Sequence, residues 1–319
     1  MIDFYSLVKT TKAFSSFNKE TFGNLSHAYL IVHPDGDNLL TYLKIFAKAA
    51  VKGDERVDTL IDEGYHPDVK IYPVGRDNVL TEDVADLINE SYVKPIESDK
   101  KIFIVNRAET MNQTAQNKLL KTLEEPPKNV TIFLGATSEY PLIATVKSRV
   151  RKIFIPEFDG AALFNALKED CPDFEKLNTA IACGDGTVGK AYKNYHDEKL
   201  GETVDAACDM LVNMKSSKNV LEFSRKIVGK YEINDFLNAL KTILRDMLAN
   251  IEGKPELIGS GVVFEKASAA EGFTEGAIIY AIEKIREAEE RLKFNSSEDM
   301  VCEWLMFQIL EGKYKWRKL

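Results

Sequence analysis

The chain has only four cysteines and four histidines in 319 residues. Cys171, Cys183, Cys208 and Cys302 all lie more than ten residues apart, so no C-x-x-C pair exists. That spacing excludes the usual cysteine zinc sites and leaves scattered reduced thiols in cores. The dispersed histidines argue against a metal enzyme, and neither a metal nor a cofactor is expected. There is no run of ~18 apolar residues to span a bilayer. Met1 to Phe17 lacks the apolar stretch of a signal peptide. A cytoplasmic protein with no membrane partner is expected. Positive charge is also short, 42 Lys and Arg against 50 Asp and Glu, a formal net charge of −8. A chain-wide electrostatic grip on nucleic acid is thereby disfavoured, while a local basic strip or an accessory role in a complex stays compatible.

What is present is an alternation of strand and helix. Residues 27–33 (HAYLIVH) read as a buried strand, followed by a turn and by helical spacing of Leu39, Leu43, Phe46, Ala47 and Ala50 over 38–52. Residues 68–73, 101–105 (KIFIV), 130–136 (VTIFLGA) and 151–155 (RKIFI) read as further strands. Helices are expected over 81–93, with Thr81 as N-cap, and over 112–124, stopped by Pro126-Pro127. Continuous apolar strands alternating with helices predict a parallel sheet covered on both faces, an α/β domain over 1–157. After Pro156 come short helices and a Gly-rich turn at 184–189. Long helical stripes follow, one of Ile233, Phe236, Leu237, Leu240, Leu244, Met247 and Ile251, another of Ile278, Ala281, Ile282, Ile285, Ala288 and Leu292. Such stripes are packing faces. The length fits two or three domains.

The strand-turn-helix at 27–50 stands where a phosphate-binding loop would stand, but the loop is erased. G-x-x-x-x-G-K-[ST] uses glycines for backbone approach to phosphate, a lysine for its charge and a hydroxyl for Mg²⁺. Here the run is His33-Pro34-Asp35-Gly36-Asp37-Asn38-Leu39-Leu40. Gly36 and Asn38 remain in a degenerate turn, Leu39 stands at the lysine and Leu40 at the hydroxyl. Asp35 and Asp37 would face the phosphates. The strand 101–105 ends in Asn106-Arg107 where a metal-holding carboxylate is needed, and Glu109 lies past the strand end.

The segment 106–150 (NRAETMNQTAQNKLLKTLEEPPKNVTIFLGATSEYPLIATVKSRV) resembles the clamp-loader branch of the AAA+ superfamily. The ordered set LLKTLEEPP at 119–127, a strand ending at Thr137, and TVKSRV at 145–150 carries the resemblance. The family usually shows S-R-C where this chain has Ser148-Arg149-Val150. Leu25 to Leu30 is similar to the family's opening before its loop, His66-Pro67-Asp68 to its histidine-proline-aspartate, and Arg291-Leu292-Lys293-Phe294-Asn295, more weakly, to its collar junction. Many relatives carry a four-cysteine zinc module before the histidine-proline-aspartate. This chain has no cysteine before Cys171, so the connection 51–65 has no expected metal site.

The resemblance implies an AAA+-like domain with a degenerate loop (1–157), a small helical lid (158–208) and a helical collar for oligomerisation (209–319). From spacing alone Arg149 makes a local salt bridge or caps the strand. The resemblance implies instead an arginine finger, with Ser148 beside it, acting in trans on ATP held by a neighbouring subunit. Thr137 falls at the family's polar sensor position. Gly189 stands where active relatives carry a second sensor arginine, with Lys190 adjacent. For Glu124 and Glu125, helix-end or inter-subunit contacts are expected. The function implied is a non-catalytic clamp-loader subunit within a DNA polymerase holoenzyme. Its partners would be gamma/tau-like ATPase subunits, a delta-like clamp-opening subunit, the sliding clamp and primed DNA. The alternatives are the clamp-opening subunit itself and a self-contained ATPase with a divergent loop.

Overall fold

A computed structural model describes residues 2–23, 25–268, 270, 272–294 and 296–316, with only the backbone at 256, 262 and 293. The chain divides into two compact units, Met1–Ala162 with Thr187–Gly189, and Leu163–Gly186 with Lys190–Leu319.

The first unit contains α1 (Phe4–Lys9), α2 (Lys12–Thr21), β1 (Ala28–Val32), α3 (Leu39–Val51), α4 (Glu55–Glu63), β2 (Val69–Tyr72), α5 (Thr81–Ser91), β3 (Lys101–Val105), α6 (Gln113–Glu124), β4 (Val130–Ala136), α7 (Ala144–Lys147) and β5 (Arg151–Phe154). The strands form one sheet in the order β2-β3-β4-β1-β5, all parallel. Every residue of β1, β3 and β4 is buried, which is why those segments are continuous apolar runs. On the outermost strand, β5, only Ile153 is buried. Phe14, Phe17, Tyr29, Phe46 and Phe133 join α2, α3, β1 and β4 through ring centroids 5.0–5.8 Å apart. In β4 a Cβ at Gly135 would lie 2.3 Å from Leu43 Cδ1, so α3 packs this close only because the strand lacks a side chain there.

One expectation is corrected, the N-cap of α5, and two segments given no secondary structure from the sequence are helical. The N-terminal segment is two helices, α1 and α2, whose caps Asp3 and Thr11 accept from Ser6 and Phe14 N–H groups. In α5 the N-cap is Leu80 rather than Thr81. Because leucine has no acceptor, the Asp83 carboxylate reaches back to the Leu80 N–H at 2.7 Å. The connection 51–65 contains α4, capped by Asp54 and ended by Gly64 in the left-handed region (φ 77).

The histidine-proline-aspartate is a loop anchor. The Asp68 N–H donates to His66 Nδ1 at 3.1 Å. The buried Asp68 carboxylate accepts from the N–H groups of Ile96, Glu97 and Ser98 at 2.7, 2.7 and 2.8 Å, fixing the approach to β3. Burial alone would raise its pKa, but the three backbone donors and the nearby His66 hold it below the ordinary carboxylate value. A depressed folded-state pKa gives stability that is fully present above the unfolded value of about 3.9 and is lost as pH falls through the folded value. Asp68→Asn is therefore expected to cost about 2 kcal/mol at pH 7. In urea unfolding the gap to the unsubstituted chain closes below about pH 4. A gap that does not narrow on acidification would show that the charge plays no part.

The second unit contains α8 (Gly160–Leu167), α9 (Phe174–Ala182), α10 (Val188–His196), α11 (Leu200–Asn213), α12 (Ser217–Ile227), α13 (Ile233–Ile251), α14 (Gly261–Ala267), α15 (Glu275–Lys293) and α16 (Glu298–Lys315), the first residues of α8 and α10 lying in the first unit. The α13 stripe is buried from Ile233 to Met247. Ile251, expected in it, is 46% exposed at the helix end. The buried Asp246 accepts from the N–H groups of Gly259 and Ser260, and the Thr242 hydroxyl donates to Ala182 O at 2.7 Å. Arg291 stacks on Trp304, its guanidinium carbon 3.7 Å from the ring centroid. Phe294 is exposed, and Asn295 of the same motif lies outside the described residues. All four cysteines are buried, and burial pushes the thiols up, Cys183 and Cys302 to about 12 and Cys208 to about 11. Such thiols are inert packing groups. Among the described residues, no helix is long and apolar enough to cross a membrane.

Candidate functional site: a closed phosphate turn and an exposed arginine corner

The turn after β1 is filled by its own side chains. Leu39 is fully buried and serves core packing. Asp35, 3% exposed, turns inward to the N-terminus of α3, while Asp37 faces solvent. The Asp35 carboxylate accepts from the Asn38 N–H at 3.3 Å, from Asn38 Nδ2 at 3.0 and 3.1 Å, from the Tyr42 hydroxyl at 3.0 Å and from the Gly189 N–H at 3.0 Å. Burial first, then the Asp35 charge and hydrogen bond, push the Tyr42 phenol far above its ordinary value, so it remains a donor. The start of a helix is where an anion is held by backbone N–H groups. Here the anion is the chain's own carboxylate. A Cβ at Gly189 would come 2.5 Å from Asp35 Oδ1 and 3.0 Å from Asn38 Nδ2. Position 189 therefore admits no side chain while Asp35 holds this position.

The neighbouring strand end closes the same turn. Arg107 adopts left-handed backbone (φ 56), and its Nη2 donates to Gly36 O at 3.4 Å. Its Nη1 lies 3.9 Å from the exposed Asp77. A Cβ at Gly36 would lie 3.2 Å from Thr137 Cγ2, so the turn is covered from β4 as well. The Thr137 hydroxyl donates to Glu109 Oε1 at 2.7 Å, and its N–H donates to the same oxygen at 3.2 Å. Thr137 is thus tied to Glu109, and Asn106 stands at the strand end with a buried amide oxygen that accepts no hydrogen bond from the described residues. With an amide at 106 and a cation at 107, this strand end offers no carboxylate to hold a metal ion.

The second feature is the corner between α7 and β5. Val146 is buried and anchors α7, and Ser148 caps that helix. Arg149 follows, with its side chain 33% exposed. Its Nη1 donates to Thr145 O at 2.9 Å and to Ser148 Oγ at 3.3 Å. Its Nη2 pairs with Glu124 Oε1 at 2.6 Å, at the end of α6. In this chain Arg149 therefore makes a local ion pair, and Ser148 is one of its supports. Arg151 and Lys152 pair with Glu20 and Glu139. The Glu124 pairing was not legible in the sequence, since residues 25 apart on different elements meet only through the fold. Tyr42 was also missed as a partner of Asp35, although its i+7 spacing from Asp35 placed it within two turns of the loop.

The first unit is thus a five-stranded parallel sheet with β1 between β4 and β5, a closed turn after β1 and a Ser-Arg corner before β5, the α/β architecture expected from the sequence. Residues 9–159 match the model of the family described as DNA polymerase III, delta subunit. Over most of its length the chain resembles the delta′ subunit of bacterial DNA polymerase III. It is 24% identical to DNA polymerase III subunit delta' of Bacillus subtilis over 93% of this chain and 94% of that protein. It is 27% identical to subunit delta' of Pseudomonas aeruginosa over 51% of this chain and 53% of that one. DNA polymerase III subunit tau of B. subtilis is 23% identical over 86% of this chain, which spans about half (52%) of that longer protein. Among solved structures, a gamma subunit-related protein of Thermotoga maritima covers 95% of this chain at 16% identity with a TM-score of 0.43.

Proposed function

We propose that the chain is a delta′-like, non-hydrolysing subunit of a DNA polymerase III clamp loader, which supports ATP-dependent loading of a sliding clamp onto primed DNA. Its three parts would be the AAA+-like domain (1–157), a lid (158–208) and a helical collar (209–319) that joins it to gamma/tau-like ATPase subunits and a delta-like subunit in the cytoplasm. The observation that carries the reading is the contrast between its two anion-handling places. The local phosphate turn is filled by Asp35, Arg107 and a side-chain-free Gly189. Arg149 lies on the surface with its guanidinium fixed by two elements. A planar fork of donors suits the γ-phosphate of ATP held by an adjacent subunit, where it stabilises transition-state charge and reports whether nucleotide is present. Such a subunit needs no nucleotide of its own.

The test uses the purified chain. Equilibrium dialysis at millimolar Mg-ATP is expected to show no binding, while the immobilised chain captures the ATPase subunits of the complex from a defined mixture. Stoichiometric ATP binding, together with failure to capture those subunits, would return the protein to the class of self-contained ATPases.

A further inference from the structure

We propose that Glu124 is the resting counter-ion of Arg149: it holds the guanidinium back against α6 and α7 until phosphate replaces it, and so sets how readily the arginine engages. The proposal rests on the reading of Arg149 as a trans-acting finger.

The geometry shows a side chain that is engaged at rest. Nη2 is taken by Glu124 at 2.6 Å, and Nη1 by Thr145 O and Ser148 Oγ. Both terminal nitrogens thus point at acceptors of this chain. Engagement with a neighbour's phosphate requires that at least the Glu124 contact be given up. Nothing obstructs that exchange. The Arg149 side chain is 33% exposed and that of Glu124 49%, so separating them strands no buried charge. Glu124 offers one oxygen, whereas a terminal phosphate offers several oxygens and more negative charge in the geometry that guanidinium binds best. Phosphate should therefore displace the carboxylate, and the carboxylate should delay but not prevent that displacement.

The placement of Glu124 favours the same role. It is the last residue of α6, where the negative end of the helix dipole disfavours an acid that lacks a cationic partner. Leu123 and Thr122 beside it are buried, so the end of α6 is held in place by packing. Two neighbouring cations have acids other than Glu124: Arg151 has Glu20 and Lys152 has Glu139. Arg149 is the cation that Glu124 pairs with, and Glu124 is a positioning residue.

The experiment compares the unsubstituted chain with Glu124→Gln and Glu124→Asp by two readouts. In the isolated chain, modification by an arginine-selective dicarbonyl reagent is mapped by peptide mass spectrometry. Arg149 is expected to react about two- to fivefold faster in Glu124→Gln, the scale of an exposed ion pair. Arg151 is unchanged, and Glu124→Asp lies between. In the reassembled complex without DNA, the ATP concentration giving half-maximal hydrolysis is expected to fall by a similar factor while the maximal rate is kept. Unchanged reactivity of Arg149 would show that the resting pair does not operate. Faster reactivity with an unchanged or higher half-saturating ATP concentration, or a reduced maximal rate, would overturn the restraining role. Failure of the finger reading shows separately, as normal ATPase in an Arg149→Ala complex, and leaves the reactivity result standing.

Discussion

On the proposed trans-acting role, replacing Arg149 with alanine is expected to abolish hydrolysis at the ATP site that this residue would face in an assembled clamp loader. An arginine finger supplied across an interface is worth roughly 10³-fold or more in turnover at the site it serves. The total ATPase of the complex should therefore fall by at least that site's share, measured at steady state with sliding clamp and primed DNA present. Arg149→Lys should fare little better, because an ammonium is a point charge without the planar fork. Misfolding does not confound the comparison. The Arg149 side chain is a third exposed, and its substitution removes an exposed ion pair with Glu124, worth about 0–1 kcal/mol. Thermal unfolding and assembly should be unaltered. Wild-type ATPase in both substituted complexes, with assembly intact, would leave Arg149 with nothing but its local ion pair.

The legible parts of this molecule are those where one physical constraint acts along the chain. β3 and β4 were readable to the residue, because strands buried on both faces must be continuously apolar and KIFIV and VTIFLGA are. The lack of phosphate-binding residue types in the turn after β1 was legible because phosphate binding demands particular residues, and Leu39 and Leu40 are not among them. Boundaries set by side-chain capping were less so. Thr81 is the better cap by residue type, yet Asp83 does the capping from inside α5. The α1–α2 pair left a readable trace in its caps, Asp3 and Thr11, and in the spacing of Phe14 and Phe17, but each helix is too short for periodicity to stand out. Contacts between distant segments left no trace. Asp35 looked like a repulsive group facing phosphate, and only the fold shows that its carboxylate is satisfied by Tyr42, Asn38 and Gly189. Arg149 and Glu124 belong to the same motif, but their pairing depends on how the end of α6 meets α7.

Removal of the Asp35 carboxylate should be the most damaging single change at the turn after β1. Its oxygens are the acceptors for the Gly189 N–H, the Tyr42 hydroxyl and the Asn38 amide, all within a buried turn. Asp35→Ala leaves these donors without their acceptor, and a buried unsatisfied group costs about 1–3 kcal/mol. A loss of about 3 kcal/mol is expected, since partial solvation of the turn relieves some of it. Asp35→Asn keeps one acceptor oxygen but turns an NH₂ toward donors, so a loss of about 2 kcal/mol is expected. Urea unfolding of the first unit measures both. Amide hydrogen exchange adds a local readout, in which the peptide containing Gly189 should exchange faster in both variants while peptides from β3 and β4 stay protected. Neither variant should gain ATP binding, because the fully buried Leu39 still fills the lysine position and Arg107 still covers Gly36. A variant that unfolds at the same urea concentration as the unsubstituted chain, with unaltered exchange at Gly189, would show that Asp35 merely occupies the turn. The expected outcome gives the internal carboxylate a positive role. A turn that relies on a bound phosphate gains that stabilisation only while the phosphate is present. This chain carries its own anion, so the turn and residues 187–189 are held together whether or not nucleotide is present.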